Sequence, residues 1–378
     1  MTAPQFHAFC YCTVGSRAEL ARGMIGKDGQ LYQRMLKNLG EYVTICDEAG
    51  FAGFGHPEHH LQIEGMEVTG SPGLLSMFIG QHSSRLKVDV FGYVVNTHNP
   101  LRVAEDIAML DHMLQGRLNV AFVRGYQHRW FSNYAAVPGG VDAVGHWNKG
   151  ENADAVNRRA FEEAIRIIKT AWANDTFAYK GEFWNYPADP VNPHPMPAYS
   201  RYGAGIAPDM HINEIGIAPR PFQSPHPPLY AGFTHSMTSV RYWAREGGKP
   251  ICLVLDDELY ATMTRVYREE AAAHGRSVAR GTEIALGGQL AITRSAEETQ
   301  RILADAAWFW ETWGTPFGLG APEMFVGDVD TVTRKIEYAL EKLGTDELFF
   351  LIGDGLFPHD TVKHTLETFG SRVISRFI

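Results

Sequence analysis

The stretch 86–125 constrains this chain more than any other: it reads strand, loop, helix, strand, with sharp boundaries. Residues 86–95 are β-branched and alternate, as a buried strand does. Asn99-Pro100 opens a helix, because Asn99 is a capping side chain and Pro100 falls where no backbone donor is needed. Val103, Ile107, Leu110 and Leu114 recur every three or four residues and give that helix one apolar face. Gly116 stops it, and 117–122 forms the next strand, ending in Val123-Arg124-Gly125. Two strands joined through a helix are parallel if they pair in one sheet, so both end on the same rim.

The pattern repeats along the chain. Strands are expected at 6–12, 51–55, 86–95, 117–122, 228–233, 251–255, 284–293 and 347–352, with helices between them, among them 32–49, 158–173, 297–313 and 328–343. Eight alternating strands and helices predict a (β/α)8 TIM barrel occupying 1–378 as a single α/β domain. A doubly wound sheet is the weaker alternative, since no G-x-G-x-x-G follows the first strand. Two insertions interrupt the pattern, at about 126–150 and 177–228, and are placed at the C-terminal mouth. The second holds 11 of the chain's 20 prolines, which excludes continuous helix or central strand. Its Trp184, Tyr186, Tyr199 and Tyr202 argue for an ordered segment.

Composition narrows the partners. A net charge of −9 without a basic cluster argues against nucleic acid and anionic membranes. No apolar run is long enough to span a bilayer, and the N-terminus lacks a signal-peptide pattern. Four cysteines are too few for a disulfide scaffold and suit a reducing, cytoplasmic setting. Cys10 and Cys12 are expected on one face of the first strand, with no second pair to complete a metal site.

In a barrel, chemistry lies at the C-terminal ends of the strands. Arg124 stands there as a permanently charged fork suited to phosphate, or to a structural carboxylate. Thr234, Ser236, Thr238 and Ser239 lie at the next helix start, where hydroxyls cap the helix or bind an anion. His59 is the candidate acid/base. His56, Glu58 and His60, with Asp354, offer a second reading as the metal site of a hydrolase. Gly92, following Phe91 in a strand, marks close backbone approach to a ligand.

These residues resemble the bacterial luciferase-like, flavin-dependent monooxygenases. The shared motifs are Pro57-Glu58-His59-His60, the run from Asn99-Pro100 to Asp111, Gln115-Gly116-Arg117-Leu118 leading into Val123-Arg124-Gly125, and Pro219-Arg220-Pro221 ahead of Pro227-Pro228. The resemblance implies a barrel that binds reduced FMN at its mouth and uses O2 to oxygenate a small organic substrate through a hydroperoxyflavin. It implies flavin supply by a separate reductase, and a homodimer. Arg124, the backbone of Gly125 and Tyr126, and the hydroxyls of Ser236, Thr238 and Ser239 would hold the FMN phosphate. A cis peptide at Phe91-Gly92 would lie under the ring, and His59 would be catalytic. Trp130, Trp147, Trp184 and Tyr199 are candidates for the substrate pocket. Hydride transfer with a deazaflavin or FMN on the same barrel is the nearest alternative. Val123 stands where luciferase has a reactive cysteine, and both insertions differ from luciferase, which argues against light emission.

Overall fold

A computed structural model describes residues 3–188, 197–234 and 236–377. The strands are β1 (Gln5–Phe9), β2 (Gly53–His56), β3 (Lys87–Val94), β4 (Leu118–Val123), β5 (Tyr179–Lys180), β6 (Asn185–Tyr186), β7 (Leu229–Ala231), β8 (Lys249–Cys252), β9 (Ala285–Ile292), β10 (Glu323–Gly327) and β11 (Glu347–Leu351). The α-helices are α1 (Arg17–Leu20), α2 (Gly29–Ala49), α3 (Pro72–Gln81), α4 (Pro100–Met113), α5 (His128–Tyr134), α6 (Asn152–Ala173), α7 (Pro197–Tyr202), α8 (Met237–Glu246), α9 (Asp257–Ala273), α10 (Ala296–Phe309), α11 (Val329–Tyr338) and α12 (His359–Thr368). They divide between two compact units, one of Met1–Tyr93, Arg117–Phe122 and Pro228–Ile378, the other of Val94–Gly116 and Val123–Pro227.

The first unit carries the barrel. Strands β1, β2, β3, β4, β7, β8, β9 and β11 pair in that order, and β11 returns to β1, closing a parallel ring of eight. These are the eight strands expected from the sequence. β10 was not expected; it pairs in parallel with the later half of β9, outside the ring. The first strand ends at Phe9, so Cys10 and Cys12 lie in the segment after it and not within a strand.

Helix α2 shows why local sequence suffices around the ring. Asp28 accepts from the amides of Gln30 and Leu31, Gly50 ends the helix with φ +92°, and Leu31, Met35, Leu39, Tyr42, Val43 and Cys46 form its buried face. Side chains alternate along each strand, so every second residue enters the barrel. One interior layer is aromatic: the Phe91 ring lies 5.1 Å from Tyr230, 4.9 Å from Phe349 and 6.5 Å from Phe9.

A second layer is charged. His7 Nδ1 is 2.7 Å from Asp89, and its Nε2 is 3.2 Å from Glu347. Asn119 donates to Asp89 at 2.7 Å, Tyr230 donates to Glu347 at 2.9 Å, and Lys249 bonds Glu347 at 2.8 Å. Gly53 makes room, because a Cβ there would run into the His7 ring and the Asp89 carboxylate. Burial alone would lower the His7 pKa; the charge and hydrogen bond of Asp89, with Glu347, outweigh it and lift the pKa to about 9. A pKa raised on folding stabilises the fold fully below the ordinary value of 6.5 and ceases to do so as pH climbs toward 9. Melting temperature is therefore expected to fall across that interval, and His7→Gln is expected to flatten the slope.

The second unit is folded around α6. Phe161, Ile165, Ile168 and Trp172 form its buried face, and the Trp172 indole N–H donates to the Ala104 carbonyl of α4 at 3.0 Å. The helix begins at Asn152, six residues before the expected start. Glu163 organises part of the proline-rich insertion. Its buried carboxylate accepts from the amides of Glu182, Phe183 and Trp184, fixing the turn between β5 and β6. Residues 189–196 of that insertion lie outside the described residues. No described helix is long and apolar enough to cross a membrane.

Candidate active site

In the barrel unit, β2 delivers the His56 to His60 run. His59 is buried, its backbone pairs with Thr69 in an isolated antiparallel bridge, and its Nδ1 lies 3.5 Å from Glu67. Burial lowers its pKa below 6.5, against the opposing pull of Glu67 and Glu58. At neutral pH the ring is therefore uncharged and able to take a proton. Glu67 has no sequence motif to announce it, lying in an irregular loop eight residues beyond His59.

The rest of the run is spoken for. His56 bonds the Pro57 carbonyl at 3.0 Å and the Ser76 hydroxyl at 2.9 Å; burial drives its pKa down to about 4. Glu58 pairs with His60 at 2.8 Å. Asp354 accepts from the amides of Tyr11 and Thr13, each at 2.8 Å. Among the described residues, the set His56, Glu58, His60 and Asp354 is not gathered to share a cation, so the hydrolase reading loses its metal site.

Phe91 commits its ring to the aromatic layer, and the peptide bond to Gly92 is cis. At the start of α8, Ser236 holds the N-cap position without a side-chain capping bond. The hydroxyls of Ser236, Thr238 and Ser239 have no hydrogen-bond partner among the described residues. His235, immediately before Ser236, lies outside those residues.

In the second unit, Arg124 directly follows β4. Its Nη1 donates to Asp154 Oδ1 at 2.6 Å, and Asp154 Oδ2 accepts from the Gly150 amide at 3.1 Å. The Asp154 pKa is lowered: burial would raise it, but bonds from Arg124 and Gly150 win. Only Nη1 of Arg124 is engaged among the described residues. The edge formed by Nε and Nη2, which grips oxyanions in bidentate fashion, is left available. The carboxylate expected as the structural alternative is thus present, and it anchors one end of the guanidinium. Asp154 escaped the sequence reading because it lies in the first turn of α6, ahead of the expected helix.

Gly125 has φ +85°, and a Cβ there would stand 2.5 Å from Phe131 and 2.6 Å from Val94. Gly125→Ala is expected to destabilise the protein by about 1–3 kcal/mol, through strain and overlap together, read as a lowered melting temperature. Tyr126, next along, is half-buried. Of the proposed pocket residues, Trp130 packs with Val94, Phe131 and Ala143 in a small core. Trp184 is also buried, Trp147 is half-buried, and Tyr199 is exposed on α7.

A closed parallel barrel with these strand-end groups defines a class, and the chain falls in it: it belongs to the luciferase-like monooxygenase family, whose pattern matches residues 20–323. Several of its relatives are named monooxygenases. The alkanal monooxygenase beta chain of Photorhabdus luminescens is 25% identical over 328 residues, covering 83% of this chain and 86% of that protein. Among solved structures, the oxygenating constituent of 3,6-diketocamphane monooxygenase from Pseudomonas putida, in complex with FMN, superposes with a TM-score of 0.72 at 17% identity, covering 100% of this chain and 99% of that one. An F420-dependent secondary alcohol dehydrogenase superposes with a TM-score of 0.66 at 12% identity, with both chains fully covered.

Proposed function

We propose that this protein is the oxygenating component of a two-component, FMN-dependent monooxygenase. Reduced FMN comes from a separate reductase, O2 is the co-substrate, and a small organic molecule receives one oxygen atom. The observation that carries this reading is the Nε–Nη2 edge of Arg124, held ready by Asp154 at the end of a barrel strand. An oriented, always charged fork is the group a phosphate needs. The backbone of Gly125 and Tyr126 and the hydroxyls of Ser236, Thr238 and Ser239 are assigned to the same phosphate. They fit because those hydroxyls have no hydrogen-bond partner among the described residues and sit at a positive helix end.

When bound, the reduced flavin supplies the activation of oxygen. The chain's own residues do the rest. Phe91-Gly92 backs the ring, and His59, uncharged at neutral pH, accepts or returns a proton. Trp147, Trp184 and Tyr199 are assigned to the substrate side, whereas Trp130 serves packing. The working form is a cytoplasmic homodimer.

The test is to mix the protein with reduced FMN, admit oxygen and follow the absorbance. A flavin–oxygen adduct that outlives the one in free solution is the expected result. Failure to bind reduced FMN would sink the proposal. Oxygen-independent hydride transfer from reduced F420 to an added carbonyl acceptor, reduced to the alcohol, would transfer this protein to the hydride-transfer branch of the fold.

A further inference from the structure

The barrel unit holds one cluster that the oxygenase reading leaves unused. The Cys10 and Cys12 sulfurs are 3.6 Å apart, both thiols are free of disulfides, and both are buried. A carboxylate oxygen of buried Asp354 joins them, the three ligand atoms lying within 4.8 Å of one another. Among the described residues, this is the group of His, Cys, Asp and Glu side chains placed to share a cation.

We propose that Cys10, Cys12 and Asp354 form a binding site for a borderline-soft divalent cation, zinc foremost. Two sulfurs bound to one tetrahedral zinc at about 2.3 Å stand about 3.8 Å apart, close to the spacing already present. Two thiolates and one carboxylate are a donor set that selects zinc or cadmium over magnesium or calcium. The carboxylate is held from behind: each oxygen accepts one backbone amide, from Tyr11 and from Thr13, and keeps a lone pair for the metal. The chain conformation supports the same geometry. Cys12 has φ +56°, so the backbone turns after β1 and brings the second sulfur back beside the first.

Access is the second, independent observation. Cys10 and Asp354 line a cavity of about 310 Å³ that also borders Thr13, Tyr42 and His359. A cation would thus have a route in, and three protein ligands leave a fourth position for water or a small ligand, the arrangement of open zinc sites.

The test uses the full-length protein, reduced and stripped with chelator, then titrated with cobalt(II). About one cobalt per chain is expected, with a thiolate charge-transfer band and the visible spectrum of tetrahedral coordination, and zinc should displace it. Cys10→Ser and Cys12→Ser should each weaken binding by at least about tenfold while keeping the melting temperature of the metal-free protein. Absence of the band in wild-type protein, or its persistence in both variants, overturns the site. Should a variant fail to fold, the cadmium–thiolate absorbance of wild-type protein decides the matter: two sulfurs per cadmium support the site, and fewer than two overturn it.

Discussion

Replacing Arg124 with alanine is expected to weaken binding of reduced FMN by about 10²-fold. Two charge-assisted hydrogen bonds to a phosphate contribute about 3 kcal/mol together, and 1.4 kcal/mol is a factor of ten. Arg124→Lys should fall between the two, because an ammonium keeps the charge and loses the planar fork. Asp154→Asn keeps the shape of the anchor but removes the charge that orients Nη1, so a loss of less than about tenfold is expected. An anaerobic titration with FMN and with riboflavin separates the causes. Riboflavin lacks the phosphate, and its affinity should be the same in all four proteins. Equal loss of both ligands in Arg124→Ala would show that the arginine holds the fold and not the phosphate.

His59→Ala is expected to slow oxygen transfer by about 10²–10⁴-fold, the usual contribution of a positioned general acid or base. FMN binding should change little, since His59 is assigned to the proton and not to the phosphate. Peroxide release should rise as transfer fails. Glu67 offers a sharper check, because its charge raises the pKa of His59 against the depression caused by burial. Glu67→Gln should lower that pKa further and move the acidic limb of the pH profile to lower pH. A limb that stays in place would show that some other group titrates there.

Much of the fold was legible because strand and helix signals were local. The run 86–95 alternates, Asn99-Pro100 caps α4, Gly50 ends α2 with positive φ, and Gly116, also at positive φ, lies in the turn just past the α4 C-cap at Leu114. β10 escaped because Met324, Phe325 and Val326 form too short an apolar run between Pro322 and Asp328 to be told from a helix margin. In the candidate site, Arg124 and His59 stood out by residue type and position at strand ends. Their partners Asp154 and Glu67 did not, since an irregular segment separates each pair. The link of Asp354 to Tyr11 and Thr13 spans over 340 residues and exists only because β11 closes the ring beside β1. Cys10 and Cys12 looked incomplete as a metal site for the same reason: their third ligand arrives from the opposite end of the chain.

The charged layer inside the barrel bears on how this sequence can change over time. Glu347 answers to His7, Lys249 and Tyr230, and His7 answers to Asp89 and Glu347. Removing a charged member, His7 or Glu347 above all, leaves a buried neighbour short of its counter-charge, a loss of several kcal/mol. Exchanging the whole group for apolar side chains need not be harmful, but no single step leads there. Gly53 tightens the lock, because no larger residue fits beside the pair it faces. The group is therefore expected to be inherited as a block, with descendants keeping all of it or none.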